Sequence, residues 1–198
     1  IRPACSRCVS GASDGGGGDG THQGRERTME HCVLVTGASA GAGRAIARRF
    51  AREGFDVILA ARRAERLEAL AREIESEFGV TATPLPCDIQ DSAAVQQLYK
   101  DASRIGFDVL INNAGRGDWD FIWDLDIDEL EALIDLNARA VAILSTLFAR
   151  DKKDRDACLI NVASLAGYAL YNAAIPYSAA KFFVTAFTEG LAGDLRLV

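Results

Sequence analysis

The sequence predicts an α/β fold built on a doubly wound parallel sheet. Short runs of β-branched and aliphatic residues alternate with longer segments whose apolar residues recur at helical spacing. Strands that are apolar throughout are typical of a parallel sheet covered by helices on both faces. A glycine-rich turn stands between the first strand and the first helix, at the edge where such sheets bind ligands.

The alternation of strands and helices is regular from Cys32 onward. The predicted strands are residues 32–35, 56–61, 81–85, 107–111 and 158–162. The predicted helices are residues 44–52, 67–78, 92–103 and 127–149, and an Ala-rich helix that contains Tyr177. The charged residues 151–156 are expected to form a solvated connection.

The first 28 residues differ from the rest of the chain. They hold a Gly- and Asp-rich run and almost no large apolar side chains, so we expect them to be disordered. Met29 is the only methionine, which predicts a natural start there and an upstream leader before it; a flexible functional tail is the alternative. Residues 29–198 form the predicted domain.

Cys5 and Cys8 form a C-x-x-C pair without the further ligands that a zinc site needs, so no metal site is predicted.

Composition narrows the class of protein. With 49% apolar residues the chain can build a core, and its net charge of -6 predicts no binding to nucleic acid or to an anionic membrane. No apolar run approaches the roughly 20 residues of a membrane helix, and the first thirty residues lack the apolar centre of a signal peptide. The expectation is a soluble cytoplasmic protein.

The glycine turn spans residues 36–43. Gly37 permits a tight turn, Gly41 allows the backbone to approach a pyrophosphate, and Gly43 lets the helix pack against the strand. Phosphates would bind at the helix N-terminus, where unpaired N–H groups and the helix dipole favour an anion. The turn therefore predicts dinucleotide binding, with an ordinary glycine turn as the alternative.

The residues after the second strand bear on which dinucleotide is bound. A carboxylate there would accept hydrogen bonds from the adenosine ribose, whereas a 2′-phosphate requires a cation. Arg62 and Arg63 occupy this position, which favours NADP over NAD. Two solvated arginines at a helix start are the alternative interpretation.

Tyr177 and Lys181 stand four residues apart in the Ala-rich helix, so the phenol and the ammonium lie on one face. A neighbouring cation stabilises the phenolate, which helps a tyrosine to exchange protons near neutrality. A surface tyrosine with a snorkelling lysine is the alternative.

Asn137 falls on the apolar stripe of the longest helix, where an amide without buried partners costs about 1–3 kcal/mol.

Taken together, these motifs resemble those of the classical short-chain dehydrogenase/reductase family over residues 31–194. The glycine turn has the T-G-x-x-x-G-x-G spacing, residues 112–115 read N-N-A-G, Asp88 follows the third strand, and Ser164 precedes Tyr177 by thirteen residues. The resemblance implies a Rossmann fold and hydride transfer between a nicotinamide and a small-molecule carbonyl or alcohol.

The resemblance implies four catalytic residues. Tyr177 would be the general acid in reduction and the base in oxidation, while Lys181 would assist it and hold the nicotinamide ribose. Ser164 would hydrogen-bond the substrate oxygen. Asn137 would bend its helix and position a water that links Lys181 to solvent; a purely structural hydrogen bond is the alternative for this residue.

The resemblance also implies the cofactor contacts. The expected NADP-binding residues are Gly37, Ser39, Ala40, Gly41, Ala42, Gly43, Arg62, Arg63, Asp88, Ile89, Asn113, Ala114, Gly115, Tyr177 and Lys181. The helices that carry Asn137 and Tyr177 would pair in a homodimer or homotetramer, to which Phe182, Phe183 and Phe187 would contribute apolar surface. Trp119, Phe121 and Trp123 would either wall a substrate pocket or serve packing and subunit contact.

The chain departs from the family pattern at its C-terminal end. Relatives continue into a sixth and a seventh strand, whereas this sequence ends at Val198. We therefore expect a fold truncated after the fifth strand and its following helix. The predicted function is an NADP-dependent oxidoreductase; the alternative is a catalytically silent dinucleotide-binding fragment or interaction protein. A regulatory sensor is a weaker alternative, since a sensor has no use for Tyr177 and Lys181 together.

Overall fold

The computed structural model describes residues 31–197, and the predictions for residues 1–28, including Cys5 and Cys8, lie outside this range. The strands are β1 Cys32–Thr36, β2 Asp56–Ala61, β3 Ala82–Pro86, β4 Val109–Asn112 and β5 Cys158–Asn161. The α-helices are α1 Gly41–Arg52, α2 Ala64–Phe78, α3 Ser92–Ile105, α4 Ile127–Ile134, α5 Ala140–Lys152 and α6 Ile175–Asp194. A π-helical segment, Asp135–Arg139, joins α4 to α5, and a 3₁₀ turn, Leu165–Gly167, precedes α6.

The five strands form one sheet in the order β3-β2-β1-β4-β5, and every neighbouring pair is parallel. This arrangement confirms the predicted doubly wound sheet. The chain runs outward from β1 to β3 and then crosses to β4 on the other side of β1. Loops at the carboxyl ends of β1 and β4 therefore separate, which opens a crevice at this switch point.

Helices cover both faces of the sheet because successive strand side chains point to opposite sides. Val33 and Val35 of β1 pack toward α1 and α2 with Leu67 and Ile74, and all four are fully buried. Leu34 points the other way, into a cluster formed with α3 and α5. The sheet is thus a rigid central layer that holds the loops at its carboxyl edge.

The predicted single helix over residues 127–149 is wrong in one respect. The helical path continues from Ile127 to Lys152, but the segment Asp135–Arg139 is π-helical rather than α-helical. Two apolar residues of α4, Ile127 and Ile134, are exposed. The helix therefore packs on the sheet mainly through α5.

The prediction of a solvated connection over residues 151–156 is wrong for Lys152. Its side chain is only 7% exposed and its ammonium lies 3.1 Å from a carboxylate oxygen of Asp108. The ammonium also lies over the Phe107 ring, 5.6 Å from the centroid. A buried cation needs such partners to offset the loss of water, which the local run of charges could not reveal.

The helical path Ile127–Lys152 bears on the expectation about apolar length. It is the one helix in the described range long and apolar enough to cross a membrane by length and composition, and 44% of its most apolar window is buried inside the fold. A core helix of a globular domain passes the same test, and α5 packs against α3 and β4.

Strand β5 lies at an edge of the sheet. Within the range 31–197 it pairs only with β4, and its Ile160 side chain is 43% exposed.

Candidate active site

The glycine turn connects β1 to α1 at the switch point. Gly37 has φ +70°, and a Cβ atom there would lie 2.9 Å from the Ala114 Cα. A Cβ on Gly43 would overlap the Gly37 carbonyl oxygen, so only glycine lets the helix approach the turn so closely. The N-cap residue Ala40 makes no side-chain capping bond at the start of α1, and no acidic residue lies in its first turn. Its N–H groups therefore remain available to an anion.

Thr36 joins the glycine turn to the N-N-A-G segment. Its hydroxyl oxygen accepts hydrogen bonds from the N–H groups of Asn113 (3.0 Å) and Ala114 (3.1 Å), and it donates one to the Ile111 carbonyl (3.3 Å). The Asn113 side-chain amide donates to the Thr36 carbonyl at 3.0 Å. These bonds hold the loops after β1 and β4 in one fixed arrangement.

A cleft of about 390 Å³ opens between these loops. Twelve of the predicted cofactor-binding residues line it: Gly37, Ser39, Ala40, Gly41, Ala42, Arg62, Arg63, Asp88, Ile89, Asn113, Ala114 and Gly115. Gly43, Tyr177 and Lys181 do not line this cleft. Cys87 and Leu136, which the sequence did not single out, also contribute to the walls. Burial, together with the neighbouring Asp88 and Asp91 carboxylates, raises the pKa of the Cys87 thiol to about 11, so the thiol is neutral at physiological pH.

The two arginines after β2 lie at one end of the cleft. Both side chains are exposed, and no ion pair occupies either guanidinium in the described part of the chain. A guanidinium nitrogen of Arg63 donates a hydrogen bond to the Ser39 hydroxyl at 3.1 Å. This contact places a cation and a hydroxyl side by side between β2 and the glycine turn.

Asn137 lies in the π-helical segment and is fully buried. Its side-chain amide donates to the carbonyls of Leu133 (3.0 Å) and Arg116 (2.9 Å). The Leu133 carbonyl lies one helical turn before Asn137, so the side-chain amide bonds the backbone of its own helix. The side-chain oxygen has no hydrogen-bond partner among residues 31–197 and faces Gly115, where a Cβ would lie 2.7 Å from it.

Lys181 lies on α6, and its ammonium would also lie near a Cβ on Gly115, at 3.6 Å. Its ammonium donates to the Val162 carbonyl at 2.8 Å and lies 5.8 Å from the centre of the Tyr177 ring. The residue is only 5% exposed, and this burial lowers the pKa of the ammonium. The structure therefore excludes the snorkelling alternative. Tyr177 is half-buried, and a Cβ on Gly117 would lie 3.7 Å from its ring.

Ser164 follows β5 and begins the 3₁₀ turn. Its hydroxyl accepts from the Ala166 N–H at 3.2 Å, which leaves the hydroxyl proton free to donate. Gly167 fixes this turn on α6, since a Cβ there would lie 2.8 Å from the Lys181 carbonyl oxygen. Close packing of the turn on the Lys181 turn of α6 thus brings Ser164 to the same edge of the sheet.

Buried polar groups below the site were not predicted. The Asn112 amide donates to Ser145 Oγ (3.2 Å) and Asn161 Oδ1 (2.9 Å), and the Asn161 amide donates to Thr188 Oγ1 (2.9 Å). These bonds tie β4, β5, α5 and α6 together. No sequence signal could find them, because each partner lies on a different element.

The aromatic residues after the N-N-A-G turn are exposed rather than part of a core. Trp119 is 66% exposed and meets Tyr171 edge to face, with 6.3 Å between ring centres. Phe121 and Trp123 stack on each other with 4.9 Å between centres. The Trp119–Tyr171 contact joins the loop before α4 to the loop before α6.

Comparison with known proteins identifies the family. The family model for short chain dehydrogenases matches residues 31–197. A Gallus gallus dehydrogenase/reductase, SDR family member 11, is 34% identical over 179 residues, which cover 86% of this chain and 70% of the relative.

Solved structures agree with this assignment. A short-chain dehydrogenase from Sphingobium yanoikuyae in complex with NADPH is similar at a TM-score of 0.79 and 33% identity, over 83% of this chain and 65% of that one. A metagenomic short-chain oxidoreductase in complex with NADP is similar at a TM-score of 0.80 and 34% identity, over 85% and 78%. The chain therefore belongs to the short-chain dehydrogenase/reductase family, whose members are oxidoreductases acting on CH–OH groups.

Proposed function

We propose that this protein is an NADP-dependent oxidoreductase that interconverts a carbonyl compound and its alcohol, with Tyr177 as general acid and base. The observation that carries the proposal is the arrangement around Gly115. The buried ammonium of Lys181 lies 5.8 Å from the Tyr177 ring centre, and a Cβ on Gly115 would lie 3.6 Å from this ammonium and 2.7 Å from the unpartnered oxygen of Asn137. A buried cation beside a phenol and an unsatisfied acceptor favours proton transfer over a packing role.

The cleft fits a dinucleotide cofactor. The uncapped start of α1 and the close approach allowed by Gly37 suit a pyrophosphate, and Asp88 lines the cleft where an adenine would lie. The Arg63 guanidinium and the Ser39 hydroxyl, 3.1 Å apart, could both bind a 2′-phosphate. Two of the similar solved structures contain NADPH or NADP, which supports the same choice.

Each side chain then has a distinct task. A nicotinamide held through its ribose by Lys181 would supply the hydride for reduction and accept it in oxidation. The Tyr177 hydroxyl donates its proton to the carbonyl oxygen in reduction, and the Ser164 hydroxyl stabilises charge on that oxygen. The Lys181 ammonium stabilises the tyrosinate left behind and holds the nicotinamide ribose. A water bound to Asn137 Oδ1 would return a proton to this group from solvent.

The direct experiment is reduction of a panel of ketones and aldehydes by the full chain with NADPH, compared with Tyr177→Phe. Loss of the proton donor should lower turnover by a factor of about 10²–10⁴ and leave the Kd for NADPH unchanged, since only the hydroxyl is removed. Tyr168→Phe is the matched control, because Tyr168 is 60% exposed on the neighbouring turn. It should keep wild-type activity.

Two outcomes would contradict the proposal. Turnover that survives Tyr177→Phe would remove Tyr177 as the acid. Binding of NADPH without turnover of any carbonyl would favour a catalytically silent dinucleotide-binding protein.

The cytoplasmic location and the homodimer or homotetramer remain part of the proposal. The stacked Phe183 and Phe187 rings, 5.5 Å apart, would supply apolar surface for the subunit contact.

A further inference from the structure

We propose that Gln90 and Arg139 are positioning residues through which a ligand at the adenine end of the cleft orders the π-helical segment that carries Asn137. The inference deepens the proposed function and rests on its assignment of the cleft to a dinucleotide. It concerns the chain's own hydrogen bonds between the loop after β3 and the segment Asp135–Arg139.

Two hydrogen bonds join that loop to the long helix. The side-chain amide of Gln90 donates to the Ala132 carbonyl at 3.0 Å, before the π-helical segment. A guanidinium nitrogen of Arg139 donates to the Gln90 carbonyl at 2.6 Å, from the last residue of the segment. The same nitrogen lies 2.8 Å from the Asp135 carboxylate. The loop is therefore attached on both sides of the distorted turn.

The loop is also a wall of the cleft. Asp88 and Gln90 both line it, and Asp88 Oδ1 accepts a hydrogen bond from the Gln90 N–H at 3.1 Å. A polar ligand that engages the Asp88 carboxylate thus acts on the group that already orients the Gln90 backbone. From there the path continues through the Gln90 carbonyl to Arg139.

The segment at the other end of this path is a π-helical turn that contacts two parts of the site. Leu136 lines the cleft, while the next residue, Asn137, bonds Leu133 and Arg116 on the side of Lys181. Such turns are less regular than an α-helix and often occur at functional sites. Because misplacement of a catalytic group by about 1 Å can cost a hundredfold in rate, further ordering of the segment that carries Asn137 by a bound ligand would affect turnover.

The test uses adenosine 2′,5′-bisphosphate, which carries the adenine half of NADP and no nicotinamide. Amide hydrogen exchange is measured by mass spectrometry on peptides covering residues 132–140, with and without saturating bisphosphate. We expect exchange in the wild-type chain to slow by at least about fivefold, the lower end of ordinary coupling between ligand sites. Arg139→Ala should bind the bisphosphate, as shown by titration, without this slowing.

Arg150→Ala is the matched control, because Arg150 is an exposed arginine on the same helical path and belongs to none of these bonds. It should behave as wild type. If Arg139→Ala fails to fold, Gln90→Leu serves in its place, since it removes the other bond to the helix. Equal slowing in the variant, or no slowing in a wild-type chain that binds the bisphosphate, would overturn the proposal.

Failure of the proposed function would look different. Exchange and titration need no turnover, so a chain that shows the coupling but reduces no carbonyl would contradict the catalytic assignment and support the link. A chain that reduces carbonyls but shows no protection of residues 132–140 would support the catalytic assignment and contradict the link.

Discussion

The Lys181 ammonium donates a hydrogen bond to the Val162 carbonyl oxygen at 2.8 Å, across the gap between α6 and the residue after β5. No carboxylate forms an ion pair with this ammonium within residues 31–197. The fold therefore holds a buried cation that a carbonyl satisfies in part. Such a group is available to a substrate or cofactor, and it has a measurable effect on stability.

Lys181→Met should change the pH dependence of the free energy of unfolding. Burial lowers the pKa of Lys181 below its usual 10.5, so the folded chain holds this proton less tightly than the unfolded chain. The buried ammonium of Lys181 destabilises the folded state. This destabilisation is full below the folded-state pKa and decreases as pH rises from that value toward 10.5. Relative to wild type, the variant should thus be most stable near neutrality and lose this advantage in alkaline buffer.

Urea unfolding at neutral and at alkaline pH measures the difference. Lys153→Met is the control, because Lys153 is exposed and should give the same difference at both pH values. A difference for Lys181→Met that does not vary with pH would show that the proton is held equally in both states.

Gly115→Ala should damage activity while the fold is kept. The added Cβ would lie 2.7 Å from Asn137 Oδ1 and 3.6 Å from Lys181 Nζ, so the buried amide must move. We expect turnover to fall by a factor of about ten to a hundred, because small displacements of catalytic groups are costly. Gly117→Ala is the comparison, since its Cβ would meet the Tyr177 ring at an ordinary 3.7 Å. Similar kinetics for both variants would contradict the assigned role of Asn137.

Arg63→Ala should weaken binding of NADP and leave binding of NAD unchanged. Loss of a charge-assisted hydrogen bond to the 2′-phosphate costs about 1.5–3 kcal/mol, which is roughly a ten- to hundredfold rise in Kd. Arg66→Ala, which changes an exposed arginine in the first turn of α2, should alter neither constant. Fluorescence titration with both dinucleotides decides the matter, and an equal loss for NADP and NAD would assign Arg63 to a different contact.

Thr36→Val should destabilise the fold, since the hydroxyl oxygen accepts from the N–H groups of both Asn113 and Ala114 and is 1% exposed at the residue level. Each buried donor left without a partner costs about 1–3 kcal/mol. Chemical unfolding of Thr36→Val and Thr36→Ser provides the measurement, because serine keeps the hydroxyl. If the two variants were equally stable, the bridge between the two loops would be irrelevant to stability.

Most of the fold could be predicted from local patterns. The strand before the glycine turn and the helix after it follow from residue type, since backbone preference and hydrophobic spacing act over a few residues. The predicted third strand differs from β3 by a single residue at each end. Apolar spacing alone predicted one continuous helix over residues 127–149, and only the family resemblance implied a bend at Asn137. The π-helical segment and the bonds from the Asn137 amide to Leu133 and Arg116 appear only in the structure, because they depend on a neighbouring loop.

The short-range sequence thus specified the parallel sheet, the position of the turn that could bind phosphates, and the one-turn spacing of Tyr177 and Lys181. The tertiary structure alone decided that Lys181 is buried against Val162, that the Asn137 side-chain oxygen lies beside Gly115, and that Gln90 contacts Arg139. The reason is physical: spacing along a helix or strand is set by backbone geometry, whereas burial and hydrogen-bond partners depend on residues brought together from different elements when the layers pack.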